Sequence, residues 1–202
     1  MVKLWIQIIK KLFLMATLSS KLKVAVFISG RGSNLKALIK SSKLKKSKYN
    51  VSLVLSNKSN AKGLGYAKKN KIKNYFIEKK LSVFENRALR LIKVNKIKII
   101  CLAGFMRILS QNFIKRVGIP ILNIHPSLLP KLKGLNTHER AIKAKFKFSG
   151  CTVHYVNEKL DSGKIIIQKK IKILKSDSPI TLAKKILKLE HKAYAEALEK
   201  II

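Results

Sequence analysis

The stretch VAVFISGRGSN, residues 24–34, places an apolar run directly before a glycine-rich loop. Five consecutive apolar residues are typical of a strand that is buried on both faces of a sheet. Leu35, Leu38 and Ile39 follow at helical spacing. We therefore predict a strand, a tight loop and a helix in succession. In α/β sheets, loops of this kind lie beyond the carboxyl ends of the strands, where ligands bind.

The same alternation continues along the chain. We predict further parallel strands over residues 51–55, 74–77, 97–102 and 119–124. Helices are predicted over 61–69, 81–94 and 110–117, and a long one over 180–201. Two strand-like segments, 151–156 and 164–173, are joined by a loop through Asp161. This order predicts an α/β fold: a Rossmann-like, mostly parallel twisted sheet with helices on both faces, mixed toward the C-terminal strands.

Length and composition fit one domain. The chain has 202 residues, of which 47% are hydrophobic, so it can bury a sizeable core. We predict a catalytic domain over residues 23–202 and an N-terminal extension of unknown role over 1–22. Lys10 and Lys11 interrupt the apolar run of that extension, so we expect no stable membrane insertion and a cytoplasmic protein. Cys101 and Cys151 are too few for a disulfide scaffold.

The charge is strongly basic. Lys and Arg number 45 against nine Asp and Glu, which gives a formal net charge of +36. Lysine is spread over nearly every polar segment and arginine is scarce, whereas nucleic-acid contacts favour arginine. We therefore expect small anionic ligands rather than nucleic acid, and a monomer or homodimer. A non-enzymatic basic nucleic-acid-binding protein stays an alternative.

The loop over residues 29–34 is a candidate anion site. Its glycines let the backbone approach a ligand, and the following helix directs free N–H groups toward it. Ser33 or Asn34 suits the N-cap of that helix. The loop lacks the third glycine of a dinucleotide fingerprint and the lysine of a P-loop. A mononucleotide-type phosphate is therefore favoured over a dinucleotide.

A second constellation follows the fifth predicted strand. Asn123 and His125 are two residues apart, so they project from one face of the strand. An amide can stabilise an oxyanion, and an imidazole can move protons near neutral pH. Asp161 lies in a turn that could return to the same edge and tune the imidazole. The spacing of the four histidines matches no metal motif, and we expect no metal.

These stretches together resemble the folate-dependent formyltransferases. The resemblance covers roughly residues 23–200 and is carried by segments 24–39, 102–110, 121–138, 150–168 and 189–198. The run NIHPSLLP (123–130) with a downstream LDSG (160–163) is specific for the superfamily, and the SGRGSN loop points to the branch that formylates glycinamide ribonucleotide. The resemblance implies that 10-formyltetrahydrofolate is the co-substrate. Its formyl group would pass to a primary amine in de novo purine biosynthesis, through a tetrahedral intermediate.

The resemblance also assigns roles to individual residues. Asn123, His125 and Asp161 match the family's catalytic residues. The positions that match the glycinamide ribonucleotide site are Gly32, Ser33, Asn34 and Glu190. The positions that match the folate site are Met106, Arg107, Ile108, Leu109 and again Asn123. Thr152 and His154 match positions that line the cleft.

Two departures from the family pattern affect the loop after the catalytic strand. Lys133 stands where the family usually has Pro, and Asn136 replaces a common His, so we expect a looser loop. In the family, a basic residue contacts the glutamate tail of the folate. No position of this sequence clearly matches that residue, and we interpret Lys79 or Lys80 as its counterpart. The segment from Arg140 to Ser149 is rich in Lys and Phe and lacks the usual acidic residues.

Other members of the superfamily are alternatives. Methionyl-tRNA formyltransferase shares the Asn-x-His and Asp core but carries an extra C-terminal domain, and formyltetrahydrofolate deformylase carries an N-terminal regulatory domain. We expect neither extra domain in a chain of this length. The glycine-rich phosphate loop also favours a nucleotide substrate over tRNA.

Overall fold

A computed structural model describes residues 21–77 and 80–202 of the chain. Residues 1–20 of the extension predicted over 1–22, and Lys79, lie outside these residues. The strands are β1 Leu22–Ile28, β2 Tyr49–Ser56, β3 Lys73–Phe76, β4 Ile99–Leu102, β5 Ile121–His125, β6 Phe148–Tyr155 and β7 Ile165–Lys172. The helices are α1 Ser33–Ser42, α2 Lys62–Lys69, α3 Leu81–Val94, α4 Gln111–Val117, α5 Thr137–Lys143 and α6 Pro179–Ile201.

The strands form one seven-stranded sheet in the order β3-β2-β1-β4-β5-β6-β7. The pairs from β3 to β5 are parallel. The β5–β6 and β6–β7 pairs are antiparallel. The predicted mixed α/β sheet is therefore confirmed. The strand order reverses between β1 and β4, and the carboxyl ends of these two strands flank the crevice in which open α/β sheets bind ligands.

The core has two layers, one on each face of the sheet. Alternate residues of β1 divide between them: Val24 and Val26 belong to one cluster, and Ala25 and Phe27 to the other. Helices α1 and α6 contribute their buried residues to the first cluster, and α3 and α4 contribute theirs to the second. This division confirms the prediction of helices on both faces.

A side-chain cap fixes the start of the long helix α6, and a buried tyrosine ties the helix to the sheet. Ser178 accepts a hydrogen bond from the backbone N–H of Thr181, whose side chain in turn bonds the backbone of Ser178. This reciprocal cap and Pro179 in the first turn set the start of the helix. At its centre, the Tyr194 hydroxyl lies 3.0 Å from the carbonyls of Leu102 and Leu122. The helix is thus tied to the last residue of β4 and to the beginning of the neighbouring β5.

The structure differs from the sequence predictions in two places. Helix α5 was not predicted, because its only apolar residues, Ala141 and Ile142, are adjacent and give no helical spacing. The N-cap prediction was wrong: Gly32, with a φ of 73°, occupies the N-cap of α1, and Ser33 and Asn34 are its first two residues. Within the described ranges, none of the helices has the length and apolar character needed to cross a membrane.

Candidate active site

The glycine-rich loop lies at the carboxyl end of β1, against helix α2. A Cβ built on Gly32 would lie 2.6 Å from the Cα of Gly63, so only glycine fits between these two backbones. The Gly63 N–H donates a 3.1 Å hydrogen bond to the Gly30 carbonyl. Helix α1 then begins with no side-chain cap and no acidic residue in its first turn. Its first backbone N–H groups are therefore available to an anion.

The buried side chains of Asn34 and Glu190 lie together beside this loop. The Asn34 Nδ2 group donates a 2.7 Å hydrogen bond to Glu190 Oε2. Burial raises the pKa of Glu190, and the hydrogen bond from Asn34 partly offsets that rise. The Asn34 Oδ1 atom is buried and has no hydrogen-bond partner among the described residues. The pair therefore offers an unsatisfied acceptor and a carboxylate to a ligand that carries N–H donors.

The loop after β4 is held at both ends. The Ser29 hydroxyl accepts a 2.8 Å hydrogen bond from the Met106 N–H and donates to Asn57 Oδ1 at 2.6 Å. At the other end, the two oxygens of Glu85 accept hydrogen bonds from the backbone N–H and the hydroxyl of Ser110, both at 2.7 Å. The Phe105 ring packs between these anchors, against the core residues Phe27 and Phe84.

Between the anchors, this loop presents large apolar side chains outward. Met106 is 62% exposed and Ile108 is 71% exposed, whereas Leu109 is buried. Arg107 lies between them and is also exposed. Isolated apolar residues on a surface are ordinary, but two on a fixed loop beside a crevice suit a flat aromatic ligand. Met106 and Ile108 therefore offer an uncharged apolar surface to such a ligand.

Strand β5 carries the predicted Asn-x-His pair. The antiparallel register places Asn123 opposite His154 and His125 opposite Thr152. The side chains of His125, Thr152 and His154 are all buried. The sheet therefore collects an amide, two imidazoles and a hydroxyl on one face.

Asp161 returns to this face, as the sequence predicts. Its Oδ2 atom lies 3.3 Å from His125 Nδ1, and its Oδ1 atom lies 3.7 Å from His154 Nε2. The Gly134 N–H donates a 2.9 Å hydrogen bond to the same Oδ2. Asp161 has a φ of 46°, a left-handed conformation that Asp and Asn tolerate better than most residues. One carboxylate thus lies between two imidazoles.

Both ring nitrogens of His125 face polar groups. Its Nε2 atom lies 2.8 Å from the Leu132 carbonyl. Since a carbonyl only accepts, Nε2 carries a proton and donates here. Its other ring nitrogen faces the Asp161 carboxylate. The ring is thus held from both sides, by a backbone carbonyl and by a carboxylate.

His154, on the neighbouring strand β6, is the second imidazole of this face. Its Nδ1 atom lies 2.8 Å from the carbonyl of Tyr155, so Nδ1 carries the proton. Burial lowers the pKa of His154, and the nearby Asp161 only partly offsets that effect. The ring is therefore neutral near pH 7, and its Nε2 accepts from Asn123 Nδ2 at 3.3 Å. This contact sets which way the Asn123 amide faces.

The backbone groups that complete the site were missed by the sequence analysis. The Leu132 carbonyl and the Gly134 N–H carry no sequence signal, because every residue has such groups. Their placement follows from the loop over residues 126–134. Ser127 donates to the Lys131 carbonyl at 2.7 Å, and Thr152 donates to the Ser127 carbonyl at 2.7 Å. These bonds hold the loop that departs from the family pattern at Lys133.

In the part of the chain that the structure describes, no group of three or more His, Cys, Asp or Glu residues is arranged to hold a metal ion. Cys101 and Cys151 are free and buried. Lys80 is exposed at the start of α3. No contact of Lys80 in the structure tests the prediction that it binds the glutamate tail of the folate.

Comparison with known proteins decides the family. The profile of the formyl transferase family matches residues 22–198. The chain belongs to the formyl transferase family. A phosphoribosylglycinamide formyltransferase of Bacillus subtilis is similar to this formyl transferase chain, with 36% identity over 186 residues, which cover 89% of the chain and 94% of the relative.

Other relatives are much longer. The trifunctional purine biosynthetic protein adenosine-3 of Gallus gallus is 42% identical over 185 residues, which are 90% of this formyl transferase chain and 18% of the relative. The chain thus spans less than a fifth of the length of that protein. Among solved structures, phosphoribosylglycinamide formyltransferase of Brucella melitensis matches with a TM-score of 0.86 and 42% identity, covering 90% and 96% of the two chains.

Proposed function

We propose that this protein transfers the formyl group of 10-formyltetrahydrofolate to the primary amine of glycinamide ribonucleotide, a step of purine biosynthesis in the cytoplasm. The observation that carries the proposal is the convergence of Asn123, His125 and Asp161 beside an anion loop with a buried carboxylate. Family membership and the names of the relatives support the same reaction. The substrates are small anions, which a basic surface attracts.

The substrate phosphate would bind at the start of α1. Gly32 allows close approach of the backbone, and the N–H groups of Ser33 and Asn34 belong to the uncapped first turn. The helix dipole adds a partial positive charge at the same point. Further into the crevice, Glu190 and the free Oδ1 of Asn34 would accept hydrogen bonds from the glycinamide part. The amine would then lie on the side of the crevice that faces β5.

The folate would lie against the loop after β4. Met106, Arg107 and Ile108 form its outward part, Leu109 is buried beneath them, and the anchors at Ser29 and Glu85 hold this loop in position. A preformed apolar surface reduces the entropy lost on binding. The formyl carbon would then sit between the two loops, next to Asn123 and His125. The formyl group itself is supplied by the co-substrate.

Asn123 and His125 would act on the formyl oxygen. As the amine attacks, a C–N bond forms and negative charge develops on that oxygen. The Nδ2 group of Asn123 and the Nε2 group of His125 are the two donors that could stabilise it. In this structure His125 Nε2 donates to Leu132, so it must exchange the carbonyl for the oxygen of the substrate.

Asp161 would keep His125 charged and help to move a proton. The attacking amine must lose a proton, and the folate nitrogen must gain one as its bond to the formyl carbon breaks. A carboxylate that contacts both imidazoles can relay that proton through water. The overall reaction conserves charge and needs no oxidant or reductant.

One assay tests this proposal. The purified protein is incubated with 10-formyltetrahydrofolate and glycinamide ribonucleotide, and tetrahydrofolate and the formylated ribonucleotide are both quantified. We expect the two products in equal amounts, and their loss in His125→Ala. His191→Gln serves as the control, because His191 lies on α6 and contacts none of the catalytic residues through a described hydrogen bond. Release of tetrahydrofolate without formylated ribonucleotide would instead indicate a deformylase.

A further inference from the structure

A cavity of about 440 Å³ lies between the loop after β5 and strands β6 and β7. Asn123, His125 and Asp161 do not line it, so it is distinct from the proposed formyl transfer site. Its volume is within the range of small-molecule sites. Most of the wall opposite the loop comes from residues 146–149, which belong to the Lys- and Phe-rich segment that the proposed function leaves without a role.

The cavity is positively charged. Lys131, Lys147 and Lys170 line it, together with apolar residues and one serine. Its lining includes no Asp or Glu. Among the described residues, no ion pair joins any of the three lysines to a carboxylate. Three unneutralised ammonium groups around a single cavity favour an anionic occupant.

Two aromatic rings add a second preference. The Lys131 ammonium lies 5.5 Å from the centroid of Phe146, and the Lys170 ammonium lies 4.2 Å from that of Phe148. Phe148 is nevertheless 42% exposed. The rings thus hold the ammonium groups near the cavity while part of their own surface stays open. A ligand with an aromatic ring and an acidic group would match both features.

One wall of the cavity is hydrogen-bonded to His125 of strand β5. Leu132 lines the cavity, and its carbonyl accepts the hydrogen bond from His125 Nε2. Lys131, the next wall residue, accepts the bond from Ser127 through its carbonyl. A ligand that displaces this wall changes the partner of His125. Such a displacement links the two sites through a single backbone segment.

We propose that the cavity lined by Lys131, Lys147, Lys170, Phe146 and Phe148 binds a small aromatic anion, and that its occupancy acts on His125 through Leu132. The binding does not depend on the proposed formyl transfer. The effect on His125 is a change of hydrogen-bond partner.

Binding is tested with 1-anilinonaphthalene-8-sulfonate, a fluorescent aromatic sulfonate. We expect saturable binding that weakens with added salt. Lys170→Gln and Phe148→Leu should each weaken it by about fivefold or more, since each removes one charged or aromatic contact. Lys93→Gln is the matched control, because Lys93 is an exposed lysine on α3, which does not line the cavity. Both test residues are exposed, so the variants should fold, which circular dichroism checks. Equal affinity in the wild type, both variants and the control would overturn the site.

The link to His125 has a readout of its own. The four histidines of the chain are labelled with ¹⁵N, and the ring signals of His125 are assigned by comparison with His125→Gln. We expect the sulfonate, at a concentration near its wild-type Kd, to shift these signals in the wild type and to shift them less in Lys170→Gln. Ring signals that stay unmoved at saturation would overturn the action on His125. Because this measurement uses no substrate, its outcome is independent of formyl transfer activity.

Discussion

Asn34 Nδ2 donates a 2.7 Å hydrogen bond to Glu190 Oε2, across 156 residues of chain. The bond joins the first turn of α1 to the middle of α6, the two helices that cover one face of the sheet. Both side chains are buried, at 7% and 8% exposure. Burial of a carboxylate is unfavourable unless it is paired. The single bond from Asn34 leaves the pair incompletely satisfied, which indicates a site prepared for a ligand rather than a structural contact alone.

Glu190→Gln tests that interpretation. The glutamine oxygen can still accept from Asn34, so the fold should persist. Loss of the carboxylate should raise the KM for glycinamide ribonucleotide by about tenfold or more, as for other hydrogen bonds to charged groups. Steady-state kinetics measures the change. Glu196→Gln is the matched control on the same helix, because Glu196 is exposed and pairs with Lys169; an equal rise of KM in both variants would contradict the proposed contact.

Asp161→Asn removes charge with little change of shape. Asn tolerates the left-handed backbone of this position, and its oxygen can still accept from the Gly134 N–H. The His125 ring would lose its carboxylate partner. We expect kcat to fall by about 100-fold or more, with the thermal midpoint nearly unchanged.

The chain supplies a matched control for this substitution. Asp177 is its other aspartate, and a hydrogen bond from Lys185 lowers the pKa of that carboxyl. Asp177→Asn should leave kcat at the wild-type value. Activity of Asp161→Asn close to that of Asp177→Asn would remove Asp161 from the mechanism.

His154→Ala tests whether a neutral imidazole orients the Asn123 amide. Without the acceptor at Nε2, the amide is free to rotate and presents its donor to the formyl oxygen only part of the time. We expect kcat to fall by about tenfold, less than for loss of the donor itself. KM for both substrates should change little. His154→Gln supplies a replacement acceptor and should recover part of the activity, which a purely structural defect at a buried position would not show.

The fold was accessible from the sequence because its signals are local. The apolar run over residues 24–28 of β1 and the periodic α3 over Leu81–Val94 were both predicted, the helix with the observed bounds. The short α5 was missed, and the cap of α1 was assigned to Ser33 or Asn34 rather than Gly32. A cap depends on backbone dihedral angles, and the left-handed conformation here is fixed by the close approach of Gly63, which is distant in sequence.

The candidate site was accessible only in part. Spacing on a strand placed Asn123 and His125 together, and the turn that carries Asp161 could return to them. The Asn34–Glu190 pair follows from the resemblance and not from local pattern, because 156 residues separate the two. The backbone partners at Leu132 and Gly134 and the neutral state of His154 required the packed structure, since burial and register determine them.

Substitutions of Gly32 and Gly30 in the anion loop should have different effects: the first should change stability and the second ligand binding. Gly32 has a φ of 73° and lies against Gly63, so Gly32→Ala should destabilise the protein by about 2 kcal/mol or more. A Cβ on Gly30 would meet nothing within 4 Å. Gly30→Ala should therefore change stability by less than about 0.5 kcal/mol. We nevertheless expect it to raise the KM for glycinamide ribonucleotide, because the added methyl group lies in the loop that approaches the phosphate. Urea unfolding measures the change in stability, and steady-state kinetics measures the KM. An unchanged KM in Gly30→Ala would show that the phosphate does not bind next to Gly30.

Three wholly or partly buried histidines should make the protein sensitive to acid. Burial lowers the pKa values of His138, His154 and His191 from 6.5. Below about pH 6.5 the unfolded chain therefore binds protons that the folded chain does not. The free energy of unfolding consequently decreases as the pH falls through this range. Glu190, whose pKa is raised from 4.5, acts in the opposite direction above that value, because the folded state holds the extra proton.

His191→Leu isolates one contribution to this acid sensitivity. The Nε2 atom of His191 is buried without a hydrogen-bond partner among the described residues, so an apolar replacement sacrifices no hydrogen bond at that atom. We expect the difference between the thermal midpoints at pH 7.5 and pH 5.5 to shrink relative to the wild type. Lys192→Gln, at the next and exposed position of α6, should leave the difference unchanged, since lysine does not titrate in this range. A difference that is as large in His191→Leu as in the wild type would show that His191 takes up its proton equally in the folded and unfolded states.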